Sequence, residues 1–232
     1  LHIGLDPTAN PGDKSIMSNP TPTPPAQPDE PSPQAAGNEA DNEAGTAASA
    51  VKGRKIVVCV TGGIAAYKTA ALVSRLSQAG AIVRVIMTEA ATKFITPLTL
   101  QSLSGHEVIT AIWQTVDRPD SQHIGLARWA DMVIIAPAST DMIAKIAAGI
   151  CDDPVSLVVV ALPLTTPVLL APAMNEQMWQ SPITQRNIAT LTQTLKHHTV
   201  GPDSGWQACR TQGSGRMSEP EAIFEAAAKL LA

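Results

Sequence analysis

Residues 54–87 read RKIVVCVTGGIAAYKTAALVSRLSQAGAIVRVIM, and this stretch decides the fold. A β-branched run at 54–60 meets a TGG turn at 61–63. In the next segment, 64–80, Ile64, Ala71, Leu72, Leu76 and Ala79 fall roughly on one helical face, and Gly80 is a natural stop. A second apolar run follows at 81–87. Neither run alternates with polar residues, so each strand is expected to be covered on both faces. Strand, helix, strand with such runs means a parallel sheet between helices.

Outward from there the pattern continues. PLTLQSLSG (97–105) reads as a helix closed by glycine, and HIGLARWA (123–130) as a short helix running into a strand, DMVIIAP (131–137). STDMIAKIAAG (139–149) is a helix capped by Ser139 or Thr140. SLVVVAL (156–162) and PVLLAP (167–172) read as two more strands, ITQRNIATLTQTLK (183–196) as a helix and HTV (198–200) as a short strand. The last helix spans 218–232, with Ser218 and Glu221 as a capping box and Pro220 in its first turn. The expected fold is α/β: one doubly wound parallel-sheet domain over 53–232, flavodoxin-like or Rossmann-like. Ligands in such folds bind beyond the carboxyl ends of the strands. TGG (61–63), TEA (88–90), PAST (137–140) and PAMN (172–175) therefore come first as candidates.

Composition sets the outer limits. Residues 1–50 hold nine of the nineteen prolines and set one lysine against seven acidic residues. Such a segment buries too little apolar surface to offset its ordering entropy, so 1–52 is expected to be a disordered, acidic tail. No stretch approaches the ~20 apolar residues of a membrane span, and no basic region precedes an apolar one as in a signal peptide. Three scattered cysteines, Cys59, Cys151 and Cys209, form no C-x-x-C. That argues against a disulfide frame or a zinc site and fits a reducing, cytoplasmic setting. Without a basic stripe there is no reason to expect nucleic acid.

The strand-end residues carry the chemistry. TGGIAAYK puts free backbone N–H groups and a helix dipole where a phosphate could sit, and Thr88 adds a hydroxyl at the same end. It is neither G-x-G-x-x-G nor a P-loop, and two glycines also make an ordinary tight turn. Thr61, Gly62, Gly63, Ile64 and Thr88 are the candidate anion contacts. In PAST, Ser139 and Thr140 offer hydroxyls, although plain capping accounts for them equally. His123 could transfer protons near neutral pH, yet a lone loop histidine is usually inert. His106, His197 and His198 read as surface positions. GWQACRTQGSGRM (205–217) suits a mobile loop with glycine hinges. Cys209, beside Arg210, should be accessible and favoured as thiolate, whereas Cys59 and Cys151 read as buried structural thiols.

Five pieces stand in a telling order: TGGIAAYK (61–68), MTEAATKFITPLTLQSLSG (87–105), HIGLARWADMVIIAPAS (123–139), APAMNEQMW (171–179) and GPDSGWQACRTQGSGRM (201–217). Together they resemble the flavin-dependent cysteine decarboxylases, above all the members that act on 4′-phosphopantothenoylcysteine in coenzyme A biosynthesis. The resemblance covers residues 53–232. Its most specific part is P-x-M-N-x-x-M-W, here Pro172, Met174, Asn175, Met178 and Trp179.

The resemblance implies FMN as cofactor, bound between subunits of a homotrimer, with some trimers joined into dodecamers. It implies FMN contacts from Thr61, Gly62, Gly63, Ile64, Thr88, Ser139 and Thr140. It implies that His123 is catalytic, that Asn175 holds the substrate carboxylate, with Ala173, Met174 and Met178 around it, and that Cys209 serves the later reduction. The implied chemistry oxidises the cysteine end to a thioaldehyde, whose electron sink lets the neighbouring carboxylate leave as CO2. The enethiol that remains is then reduced to 4′-phosphopantetheine. An uncharged amide suits this, because a cation there would stabilise the ionised ground state.

Where many relatives read P-A-S-A-N-T this chain has PASTDM, with Asp141 in place of asparagine. Bifunctional relatives continue into a synthase domain, and that second activity is not expected of this polypeptide. The competing readings are a peptidyl-cysteine decarboxylase, an FMN prenyltransferase or a non-catalytic regulatory subunit. The P-x-M-N-x-x-M-W motif speaks against the prenyltransferase and Cys209 against the peptidyl enzyme. The acidic tail is only a faint echo of the regulatory subunits.

Overall fold

The structure is a computed structural model that describes residues 45–112 and 122–232. The expectation of disorder for 1–44, and most of the loop before His123, lie outside the described residues. The described residues begin before residue 53. An alanine-rich helix, α1, covers 45–51, and its Val51 is fully buried.

Five parallel strands make the central sheet: β1 (Lys55–Val60), β2 (Ile82–Met87), β3 (Met132–Ala138), β4 (Val168–Pro172) and β5 (His198–Thr199), in the order β2-β1-β3-β4-β5. The chain leaves β1 toward β2 and then returns to β1's other side as β3. The strand order therefore reverses between β1 and β3, where doubly wound folds open a crevice.

Alternate residues of β1 explain the two-sided burial. Ile56, Val58 and Val60 enter one core with Leu72 and Leu76 of α2 (Ala66–Gln78) and Ile223 and Phe224 of the last helix. Val57 and Cys59 enter the other with Val133, Ile135, Met142 and Leu170. Burial pushes the Cys59 thiol well above its ordinary range, as befits a structural cysteine. Each fully buried large side chain contributes about 1.5–3 kcal/mol.

Further helices complete the layers: α3 (Pro97–Ser104), α4 (Gln122–Trp129), α5 (Thr140–Ala148), α6 (Pro154–Val160), α7 (Glu176–Gln180), α8 (Pro182–Ala189) and α9 (Pro220–Leu231). A π turn at Thr190–Thr194 follows α8. A separate antiparallel hairpin joins β6 (Asp203–Trp206) to β7 (Gln212–Arg216).

Four expectations are corrected. The run at 156–162 is not a strand but part of α6. Asp153 accepts from the Val155 and Ser156 amides, Ser156 returns the capping bond, and Pro154 opens the first turn. An all-apolar run is silent on period, and this cap outweighs the valines' β preference. The capping box at the last helix does not form. Ser218 Oγ donates to Asp203 Oδ1 at 2.8 Å, and Glu221 pairs with Arg75 instead. Cys151 is exposed rather than buried. His197 is half-buried, its Nδ1 has no partner, and desolvation, helped by the charge of His198, pushes its pKa down to about 4.

Candidate functional site

The site is built at the strand-order reversal. Thr61, at the end of β1, is buried; its Oγ1 donates to Pro137 O at 2.6 Å and accepts from Ser139 N at 3.0 Å. One hydroxyl therefore fixes the ends of β1 and β3 together. Thr69, one turn into α2, adds a second buried tie to Ala136 O at 2.7 Å. Sequence reading missed Thr69. Its only signal was a hydroxyl at a position the helix buries.

The two glycines of the turn have different reasons. A Cβ on Gly62 would lie 2.5 Å from Ala90 Cβ, because the turn after β2 closes against it. A Cβ on Gly63 would meet nothing within 4 Å, so the protein itself does not need glycine there. The start of α2 has no side-chain cap and no acidic residue in its first turn. Ile64 beside it is exposed. The first amides of α2, Ala66, Tyr67 and Lys68, bond back to Gly63, Ile64 and Ala65, so the donors that could meet an anionic group in the open space are those of the glycine turn itself. Thr88 accepts from Ala91 N at 3.2 Å at the neighbouring strand end.

Ser139 caps α5 by accepting from Met142 N at 3.3 Å. Asp141 lies exposed in the first turn of α5 and pairs with Lys145 at 3.4 Å, which fits a helix-start acid. Thr140 Oγ1 donates to Met174 Sδ at 3.2 Å, joining this strand end to the next. Ala173 N donates to Ala138 O at 3.1 Å. Asn175 then caps α7, its Oδ1 accepting from Met178 N at 2.8 Å. That bond fixes the amide's orientation. Its Nδ2 makes no hydrogen bond among the described residues, and the side chain is exposed. The Asn175 amide is thus left with an uncharged N–H2 donor to offer a ligand. Met178 is partly exposed beside it, and Trp179 N donates to Asn175 O at 3.0 Å.

The segment carrying Cys209 is the β6–β7 hairpin rather than an irregular loop. Cys209 sits exposed at its tip, with Thr211 Oγ1 at 2.9 Å and Gln207 Oε1 at 3.5 Å from the sulfur as hydrogen-bond partners. Met174 N donates to Gly215 O at 2.9 Å, so the hairpin lies on the Asn175 loop. At its base, buried Lys68 holds Glu219 at 2.9 Å, which lowers the Glu219 pKa, and Arg216 reaches the same carboxylate.

His123 stands apart. It is half-buried at the start of α4, which packs chiefly on α6, and it lines a small recess with Ile109, Leu126 and Pro154. The structure brings Thr61, Gly62, Gly63, Ser139, Thr140, Met174, Asn175 and the Cys209 hairpin to one end of the sheet. His123 lies on the face covered by α6, and the recess it lines includes none of these residues. No helix among the described residues is long and apolar enough to cross a membrane.

Known proteins resemble this chain in sequence and in fold. The coenzyme A biosynthesis bifunctional protein CoaBC of Haemophilus influenzae is 50% identical over 176 residues, 76% of this chain and 43% of that protein. The CoaBC of Escherichia coli strain K12 is 49% identical over 175 residues, 75% of this chain and 42% of its own length. The chain thus spans less than half the length of these curated relatives. Among solved structures, a cysteine-to-serine mutant of PPC decarboxylase complexed with pantothenoylaminoethenethiol is 30% identical. It covers 77% of this chain and 98% of its own, with a TM-score of 0.68. The flavoprotein family profile matches residues 45–232, and the chain belongs to that family.

Proposed function

We propose that this chain is an FMN-dependent decarboxylase that converts 4′-phosphopantothenoylcysteine to 4′-phosphopantetheine, a step of coenzyme A biosynthesis in the cytoplasm. The observation that carries the reading is the junction at the sheet's carboxyl end. There an open, uncapped glycine turn, the oriented Asn175 amide and the Cys209 hairpin are linked through Thr140 and Met174. The residues fit FMN: the open space at Gly63 and the backbone amides of the glycine turn suit its phosphate, with Thr61, Gly62, Ile64, Thr88, Ser139 and Thr140 around them.

FMN, when bound, supplies a two-electron acceptor that is restored by the end of the turnover. The net reaction replaces a carboxylate by hydrogen, with no net oxidation. Asn175 holds the carboxylate through Nδ2 without adding charge, between Ala173, Met174 and Met178. Cys209 supplies a proton in the second half of the reaction. His123 serves proton transfer, and its setting in the recess of Ile109, Leu126 and Pro154, which contains no residue of the Asn175 loop, supports a homo-oligomeric site completed by a second copy. Exposed Ile64, Tyr67, Phe94 and Leu98 follow the ends of β1 and β2 and support that association, as a trimer or dodecamer. The likeness in sequence to CoaBC and in structure to PPC decarboxylase supports the substrate.

The test is anaerobic incubation of the purified, FMN-loaded protein with phosphopantothenoylcysteine. CO2 and phosphopantetheine should appear in equal amounts. A protein that retains no flavin, or that holds FMN without turnover, overturns the reading.

A further inference from the structure

Between Asn175 and Cys209 lies a set of contacts that neither residue explains. Gln207 is buried on a hairpin that otherwise buries only Gly215. Its Oε1 accepts from Glu176 N at 3.3 Å and from Cys209 Sγ at 3.5 Å, and its Nε2 donates to Ser214 O at 2.8 Å. Glu176 follows Asn175 directly and turns its carboxylate onto the opposite strand. Oε1 accepts from Ser214 N at 3.3 Å and from Ser214 Oγ at 3.4 Å. The hairpin's glycines stand where the two surfaces press together. A Cβ on Gly213 would lie 2.6 Å from Glu176 Oε2, and one on Gly215 would overlap Met174 O. Glycine in this hairpin thus permits close approach to the Asn175 loop rather than hinging.

We propose that Glu176 and Gln207 form a latch that seats the Cys209 thiol over the Asn175 loop, and that they are positioning residues for the step served by Cys209. The inference rests on the decarboxylase reading for its catalytic half and on geometry alone for its structural half. Glu176 is the residue next to the Asn175 cap, and Gln207 Oε1 touches both the Glu176 amide and the thiol. A displaced latch therefore moves sulfur relative to Asn175 while leaving the Asn175–Met178 bond intact. CO2 release, which needs Asn175, should survive; the return step should not.

The experiment compares Glu176→Ala, Glu176→Gln and wild type, all FMN-loaded. Hydrogen exchange at Ser214 should be about tenfold faster in Glu176→Ala, the scale of losing two modest hydrogen bonds. Iodoacetamide should modify Cys209 faster by a similar factor. In turnover, Glu176→Ala should release CO2 near the wild-type rate but yield less thiol product per CO2. Glu176→Gln keeps an acceptor oxygen for Ser214 and should restore both readouts. Wild-type exchange and wild-type product per CO2 in Glu176→Ala overturn the latch, as does a uniform loss of CO2 and product together. If wild type itself releases no CO2, the decarboxylase reading fails, and the exchange and alkylation rates still decide whether the latch exists.

Discussion

Asn175 and Cys209 sit at the same end of the sheet on very different foundations. Asn175 stands one loop beyond β4, a strand buried along its whole length, and its side chain is held by a capping bond to Met178. Cys209 stands at the tip of a two-stranded hairpin outside the main sheet, held down by Met174, Glu176 and Gln207 from the side and by Lys68 and Glu219 from below. An isolated hairpin is marginal in water. The first position is therefore fixed by the core, and the second by a few polar contacts at its edge. A group that must meet a carboxylate in one orientation gains from the former. A group that serves a later step, after substrate has entered, gains from the latter.

The contrast breaks most sharply at Asn175. Asn175→Asp keeps the cap but sets a like charge against the substrate carboxylate. CO2 release should fall about a hundredfold to a thousandfold, the scale of losing one positioned donor, with flavin absorbance unchanged. A variant that keeps its turnover would show that the rigid position carries no chemistry. Next comes Cys209→Ser. CO2 should still appear, while phosphopantetheine formation drops about a hundredfold and the unreduced enethiol accumulates, as when a positioned acid is lost. Normal product from this variant would remove the hairpin from the reaction.

The turn at Gly62 and Gly63 sharpens the same distinction at smaller scale. Gly62→Ala collides with Ala90 and should cost about 1–3 kcal/mol of stability in the apoprotein, read by thermal unfolding. Gly63→Ala meets only open space and should leave apoprotein stability within about 0.5 kcal/mol. It should nonetheless weaken FMN binding measured by titration, because the methyl enters that space. Equal effects of the two substitutions on apoprotein stability would refute the separate reasons assigned to them.

The smallest effect belongs to the opposite, amino end of the sheet. His197 is held neutral down to about pH 4, whereas a free histidine protonates near 6.5. Below 6.5 the unfolded chain therefore binds the extra proton first, so stability should decline as pH falls from 6.5 toward 4 and be flat above. His197→Leu should remove that part of the acid dependence, measured by melting temperature against pH, without changing activity at pH 7.5.

Much of the fold was readable because β1 and β3 are apolar on both faces and β2 is broken only by Arg84, the pattern of a covered parallel sheet once helices alternate with the runs. The run at 156–162 misled because valines facing a core look alike in a strand and in a helix; the Asp153–Pro154–Ser156 cap was the better guide. The strand-end rule found Thr61, Gly62, Ser139 and Asn175, since each lies where a buried strand must stop. Glu176 and Gln207 escaped it. Their partners are 31 to 38 residues away across the hairpin, and no spacing along the chain encodes that contact. His123 was legible as a residue type at a helix start, but its separation from Asn175 came only with the packing of α4 on α6.

The Thr61 hydroxyl, shared between Pro137 and Ser139, has a consequence for how this protein could change. Because it acts as donor and acceptor at once, valine, its nearest match in shape, would strand a carbonyl and an amide in a closed interior, and serine alone could replace it with little loss. The floor of the crevice is thus closed to drift, while its walls at Met178 and at Trp206 of the hairpin face solvent. New substrate preferences, whether selected or designed, should arise at the walls, on a floor that stays as it is.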